Sequence, residues 1–430
     1  MSSNEAGSFA RLFRLATKIE ENEIRATILS FIFIFMLMFA YNMLKPVRDA
    51  LAPEWSDVEL ASLWTINFVF SAIAVSLYGL AVSRLKLRNV IPGVYVFFAA
   101  SFVLFYIGAN AMADSAFINK AFYVWLSLFS LFHVSVFWSL MSDLFTKEQA
   151  PRLFAFIASG ASIGTIAGGA TTFFLAGILG TLNLMLLAAT ILVLTVPLIT
   201  ILRSSASNDS DGPVQDSSIS GNPFAGFRRL ISNPYLLGIA LFIFLYTFIG
   251  SFAYFEIKNL MAGNDRDTNT AIWAGINTSV NLISIVTAMF ATSRITTTVG
   301  LGKALALIPL CVSIALLAVF ANPALAIIVV AWVVLKAGNY SITRPGREML
   351  YTNVSREDRF KTKQVIDIVV YRGGDVFSGW MFALLTTSLG FGMGPIALIG
   401  AGVAILWAYV GLRLGNTYDR GSQVKPDNSP

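Results

Sequence analysis

Apolar runs of about 18 residues or more recur from Ala26 to Leu412, separated by short polar or charged stretches. Strands of a membrane barrel would alternate in polarity. These runs are apolar all round, so helices are the spanning element. The pattern predicts spans at 26–51, 60–82, 90–110, 119–142, 153–178, 181–202, 235–258, 270–292, 303–320, 323–343, 363–388 and 392–412. One long polar break, RSSASNDSDGPVQDSSISGNPFAGFRR at 203–229, is rich in Ser, Asn, Asp and Gly and has no hydrophobic period. Such a segment reads as a flexible linker. It divides the spans into six and six.

Short matches recur at corresponding places in the two halves. YNMLK (41–45) closes the first span and YFEIK (254–258) the seventh; AVSR (81–84) follows the second and ATSR (291–294) the eighth. The offsets of 213 and 210 suit a duplication with small insertions. The expected fold is an all-α integral membrane protein of twelve transmembrane helices in two pseudo-symmetric six-helix bundles, the layout of the major facilitator superfamily fold. The expected segments are an amphipathic lead-in (1–25), a first bundle (26–202), a linker (203–234), a second bundle (235–412) and a tail (413–430). Such a layout implies a site near the midplane and alternating access. Gly160, Gly164 and Gly168 repeat every four residues in the fifth span, a small-residue stripe on which another helix can pack closely. Gly373 and Gly374 permit bending in the eleventh.

Composition narrows the function classes. The chain is 56% hydrophobic and only 13% charged, with a mean hydropathy of +0.71. The single Cys311 and single His133 both lie in apolar segments. Disulfides within the chain, cysteine metal clusters and His-based triads therefore lack material, and no Walker loop is present. The sequence predicts no enzyme, no metal and no cofactor. The net charge of +6 reflects loops rather than a nucleic-acid module. Of 30 Lys and Arg, 23 fall in the termini and in loops on one side, and only Lys120, Lys258 and Arg266 face the other. This bias puts both termini in the cytoplasm of a multi-pass protein, with a bacterial inner membrane as the expected location. Before the first span, Phe9, Leu12, Phe13 and Ile19 share a face flanked by Arg11, Arg14 and Lys18, which suits a helix on the inner leaflet or a solvated lead-in.

Charges within the spans are the candidate chemistry, since each costs roughly 2.5–3.5 kcal/mol at mid-bilayer on insertion scales. Lys336 lies about 20 Å along the tenth helix from Pro323, near the middle of a core about 30 Å thick. Arg372 and Asp375 are also near the middle of their span. One reading is structural: Arg372 and Asp375 neutralise each other at i,i+3, and Lys336 pairs with Asp375 or Asp367. The other is a cationic cavity in which Lys336 and Arg372 hold an anionic substrate, with hydrogen bonds from Asn339, Tyr340 and Tyr371. Asp375 then tunes, gates or carries a proton. Lys45 lies about 28 Å from Ala26, near the outer boundary, where Lys45, Arg48 and Asp49 either anchor the helix or form a gate beside the kink-favouring Pro46. Across the pseudo-twofold stand Glu256 and Lys258, and a salt bridge closing the outer mouth follows as an expectation. His133, among Phe132, Val134 and Phe137, reads as a packed helix histidine.

Four stretches carry a family resemblance: YNMLKPVRDAL, TKEQAPRLFAFIASGASIGTIAGG (146–169), YFEIK, and NYSITRPGREMLYTNVSREDRFKTKQVIDIVVYRGG (339–374). Together they resemble the ATP/ADP translocases, nucleotide exchange transporters of plastids and intracellular bacteria, most specifically around Tyr340, Glu348, Tyr351, Lys361, Lys363, Ile366 and Asp367. The resemblance implies a twelve-helix carrier exchanging ATP for ADP, or related nucleotides with phosphate. It also implies functional roles for Lys45, Arg48 and Asp49 and for Glu256. Two departures stand out: Asp375 where the family has a lysine, and Arg344-Pro345 where it usually has Asp-Pro. The first inverts a local charge and points to a divergent, free-living bacterial member with a different or broader substrate.

The leading expectation is a secondary active transporter, an antiporter in the nucleotide-transport mould, for a small anionic solute bearing phosphate or carboxylate. The alternatives are a proton-coupled carrier for another solute, such as a siderophore or drug, with the proton on Asp375 or Asp367, and a receptor that kept the fold. The expected partners are the solute and the lipid bilayer, without nucleic acid, and the expected assembly is a monomer.

Overall fold

In a computed structural model of the chain, residues 20, 22–84, 87–112, 115–146, 149–206, 225–354, 362–363 and 365–423 are described. The amphipathic lead-in before residue 20, positions 207–224 of the linker, and Lys361 lie outside them.

The apolar runs become long helices. In order these are α1 (Ile24–Asp49), α2 (Asp57–Arg84), α3 (Leu87–Ala111), α4 (Ala116–Leu144), α5 (Ala150–Leu179), α6 (Asn183–Ala206), a short α7 (Ala225–Ser232), α8 (Pro234–Leu260) and α9 (Arg266–Thr287). Then follow α10 (Ser293–Val299), α11 (Leu301–Ala321), α12 (Leu325–Gly338), α13 (Arg344–Leu350), α14 (Tyr371–Ala383) and α15 (Met393–Gln423). Wider π-helical turns at Ala288–Thr292, Asn339–Thr343, Ile366–Val370 and Leu384–Ser388 interrupt the later helices. Among the described residues, eleven helical stretches are long and apolar enough to cross a membrane. The segmented helix at 366–388 supplies the twelfth. Both ends of the polar break are helical: α6 runs on to Ala206, and α7 buries Leu230 before Asn233 caps α8 by accepting hydrogen bonds from the Tyr235 and Leu236 amides.

The helices gather into two compact units. One holds the described residues of Met1–Leu51, Val69–Ser217 and Asp265–Thr278; the other holds those of Ala52–Phe68, Ser218–Asn264 and Ser279–Pro430. In the first unit the glycine stripe governs packing. A Cβ added at Gly160, Gly164 or Gly168 would collide with the carbonyl oxygen of Phe31, Phe35 or Phe39 respectively, so α5 lies backbone to backbone on α1. Asn42 reinforces the seam by donating to the Thr165 hydroxyl at 3.2 Å. Phe33, Phe98, Phe102, Phe129 and Phe137 fill the space between α1, α3 and α4.

In the second unit α8 is buried along nearly its whole length. Its rings meet Trp407 through Phe242 and Phe382 through Phe252 and Phe255. There α11 and α15 approach so closely at Gly302 and Gly415 that neither position has room for a side chain. Large apolar side chains such as Phe117, Phe174 and Ile314 stand on the outer faces, where lipid rather than water suits them.

Candidate functional site

Lys336 sits on the last turn of α12, just before the π-helical turn Asn339–Thr343. Its half-buried ammonium donates to the Tyr246 hydroxyl at 3.2 Å. It lies 4.9 Å from the Tyr246 ring centroid and 4.5 Å from that of Trp332. Two aromatic faces thus stabilise the cation without neutralising it. Gly250 on α8 makes room, since a Cβ there would stand 3.2 Å from the Lys336 Nζ. No carboxylate lies within ion-pair distance of Lys336 among the described residues. A protonated amine left in this state retains donors for an incoming acceptor.

From α14, Tyr371 places its ring 6.3 Å from that of Tyr246. Arg372 and Asp375 follow on the same helix, both half-buried. Arg372 and Lys336 both act electrostatically on the Asp375 carboxylate, yet neither closes an ion pair with it. The half-exposed Tyr340 and the exposed Arg344 lie within electrostatic reach of Tyr246. Lys336, Tyr340, Tyr371, Arg372 and Asp375 are therefore brought to one region of the second unit, centred on Tyr246. The half-buried Asn339 begins the adjoining π-helical turn. The Asp367 backbone lies in the π-helical turn Ile366–Val370, and its side chain is outside the described residues. Turns of this wider kind add one residue to a helix and recur at functional sites. Here they flank the lysine and the arginine alike.

The outer charges fall into two clusters. In the first unit, Lys45 donates to the Asn277 side chain at 2.8 Å. Arg48 grips Asp49 with two donors at 2.9 and 2.6 Å, donates to Ser127 at 3.2 Å and stacks 5.2 Å from the Tyr123 ring. Pro46 is accommodated without ending the helix.

In the second unit, Lys258 is fully buried, bridging to Asp57 at 2.9 Å and donating to the Trp55 carbonyl at 2.6 Å. Asp57 also accepts from Thr386 at 2.8 Å and from Asn259 at 3.5 Å. Glu256 is buried too, and its Oε1 has no partner among the described residues. His133 is a packed histidine: its Nδ1 meets the Phe129 carbonyl at 3.0 Å and its ring stacks on Tyr41.

Sequence reasoning missed Tyr246, Trp332, Asn277 and Asp57. Tyr246 is one of many aromatics in its span, and Trp332 is the one aromatic in an aliphatic helix, where it reads as packing. Asp57 opens α2, in a stretch that reads as a loop ahead of the second span.

No curated protein matches the chain by sequence. Solved structures share the fold. The nucleoside transporter NupG is 14% identical, covering 92% of this chain and 100% of its own with a TM-score of 0.59. A bacterial homologue of the iron transporter ferroportin, in an inward-facing state, is 9% identical over 92% and 100%, with a TM-score of 0.65. A POT family transporter in complex with 5-aminolevulinic acid is 10% identical over 92% and 96%, with a TM-score of 0.62. Residues 27–360 match the Major Facilitator Superfamily, and the chain is therefore a member of that family of twelve-helix membrane transporters.

Proposed function

We propose that the chain is a secondary active transporter that moves an anionic organic solute, nucleotide-like or otherwise bearing phosphate or carboxylate, by alternating access. In this reading six helices precede the 203–234 linker and six follow it, with both termini in the cytoplasm of a bacterial inner membrane. The supporting observation is Lys336, a half-buried cation held by Tyr246 and Trp332 with no carboxylate paired to it among the described residues. Arg372 adds a second cation and Arg344 a third, and Asp375 adds a carboxylate. A phosphate or carboxylate on the solute would replace water at these donors with charge-assisted hydrogen bonds. Asn339, Tyr340 and Tyr371 add neutral donors and ring faces. Lys45, Arg48 and Asp49 are assigned gating or coupling roles in the first unit, and Glu256 and Lys258 in the second.

Uptake into liposomes tests the reading, once a thermal-shift screen against nucleotides, sugar phosphates and carboxylates has found a stabilising anion. Lys336→Ala and Arg372→Ala are expected to abolish uptake of that anion while the purified variants keep their melting temperature. Normal uptake in both variants would remove the cationic site from consideration. Exchange is expected to require preloaded counter-substrate, so equal uptake into empty vesicles would leave a uniporter.

A second reading draws on Asp375, an acid facing two cations without an ion pair. It makes the protein a proton-coupled carrier of another solute. Asp375→Asn would then uncouple transport from a pH gradient, whereas gradient-independent uptake by the unmutated protein would end that reading.

A further inference from the structure

The segment between α1 and α2 is fastened to α8 by a buried polar cluster. Asp57, the first residue of α2, takes the Lys258 ammonium at 2.9 Å and the Thr386 hydroxyl at 2.8 Å. Lys258 also holds the Trp55 carbonyl at 2.6 Å. Just above, Trp64 of α2 packs edge-on against Phe255 at 5.1 Å, which closes the seam with rings. Ala52 and Pro53 are buried in the same dock.

Beneath this dock is Glu256, 5% exposed, with Oε1 unpartnered among the described residues. The charged group acting on Glu256 is Asp57, and the one acting on Asp57 is Lys258. Thr386 and Asn259 contribute only neutral donors. The cluster thus sets two carboxyl groups against one ammonium, which bridges only Asp57, with Glu256 and Lys258 buried and Asp57 half-buried. With both ionised, the cluster carries one uncompensated negative charge, which burial strongly disfavours. One added proton makes it neutral.

We propose that Glu256, with Asp57 and Lys258, forms a proton-binding site that is complete only while residues 52–57 are docked on α8. One proton adds to a Glu256 carboxylate oxygen as the segment docks and leaves as the segment lifts and water reaches the carboxylate. Proton binding thus favours the docked arrangement, and proton loss favours release. The site binds a proton whatever solute is carried, so it does not depend on the solute being an anion.

Spin labels report the dock directly and require no substrate. Cysteines replace the exposed Val58 and Ala262 in a Cys311→Ser background, and the protein is placed in lipid nanodiscs. Double electron–electron resonance then reads the distance between them across a pH series. The expected result is one short distance at low pH and a growing longer population as pH rises. Glu256→Gln, which is neutral at every pH, is expected to hold the short distance throughout. Asp57→Asn removes the partner of Lys258 and is expected to populate the longer distance even at low pH. An unchanged distribution across pH in the parent would overturn the proposal, as would Glu256→Gln retaining the parent's pH dependence.

Discussion

At the residue scale, the two kinds of buried charge call for opposite treatment. Lys336 has aromatic and hydroxyl partners but no counter-ion among the described residues, whereas Arg48 and Asp49 neutralise each other where Asp49 is almost fully buried. Removing one member of a buried pair leaves a bare charge and costs about 3–5 kcal/mol, while replacing both is far milder. Arg48→Met is therefore expected to lower the melting temperature sharply in detergent. Adding Asp49→Asn to it should recover most of the loss. Tyr246→Phe keeps the ring under Lys336 and removes only the hydroxyl that accepts from it. Hydrogen bonds to charged groups contribute about 1.5–3 kcal/mol, so anion affinity should fall about tenfold or more, measured by isothermal titration. Lys336 and Arg372 were legible in the sequence because a charge in an apolar run stands out by its cost. Tyr246 was not, since an aromatic in an aromatic-rich span gives no sign of which cation it will meet. Asp57 was hidden differently: its importance depends on Lys258, some two hundred positions along the chain.

At the element scale, the apolar runs located most spans to within a few residues, though the last helix continues to Gln423, eleven past the expected end, and the four-residue glycine stripe announced its own contact. Gly164→Leu drives a side chain into the Phe35 carbonyl and should separate α1 from α5, seen as loss of the monodisperse peak in size-exclusion chromatography. Gly177→Leu is the matched control: it lies on the same helix, with nothing within 4 Å of a Cβ, and should leave the profile unchanged. The widened turns had no such signature. A π-helical turn is decided by which tertiary contacts reward an extra residue, and hydropathy windows average over it. Likewise α7 is too short and polar for periodicity to separate it from the surrounding linker.

At the scale of the whole molecule, twelve spans and membership of a transporter superfamily follow from the order and length of the apolar runs. Composition also gives an expectation of sidedness, from an excess of Lys and Arg in alternate loops. That expectation is open to a labelling test. With Cys311→Ser as background, a cysteine at Asn264 should react with a membrane-impermeant maleimide added outside intact cells. One at Lys303 should react only after permeabilisation. The reverse pattern would invert the topology. Substrate identity was not legible, because it depends on how side chains from α8, α12 and α14 converge.

The π-helical turns have a mechanical side. At Leu384–Ser388 the Leu389 amide reaches back five residues to the Leu384 carbonyl, and at Asn339–Thr343 the Arg344 amide does the same to Asn339. Each such turn holds one residue of slack. Tightening it to an ordinary α turn would rotate everything beyond by about 100° and retract it by about 1.5 Å, without unfolding the helix. Among the described residues, all four of these turns lie in the second unit, whereas the first is locked by glycine contacts to carbonyls. One unit is thus built like a fixed jaw and the other like a set of screws, able to re-aim Tyr340 or Arg372 by a single thread.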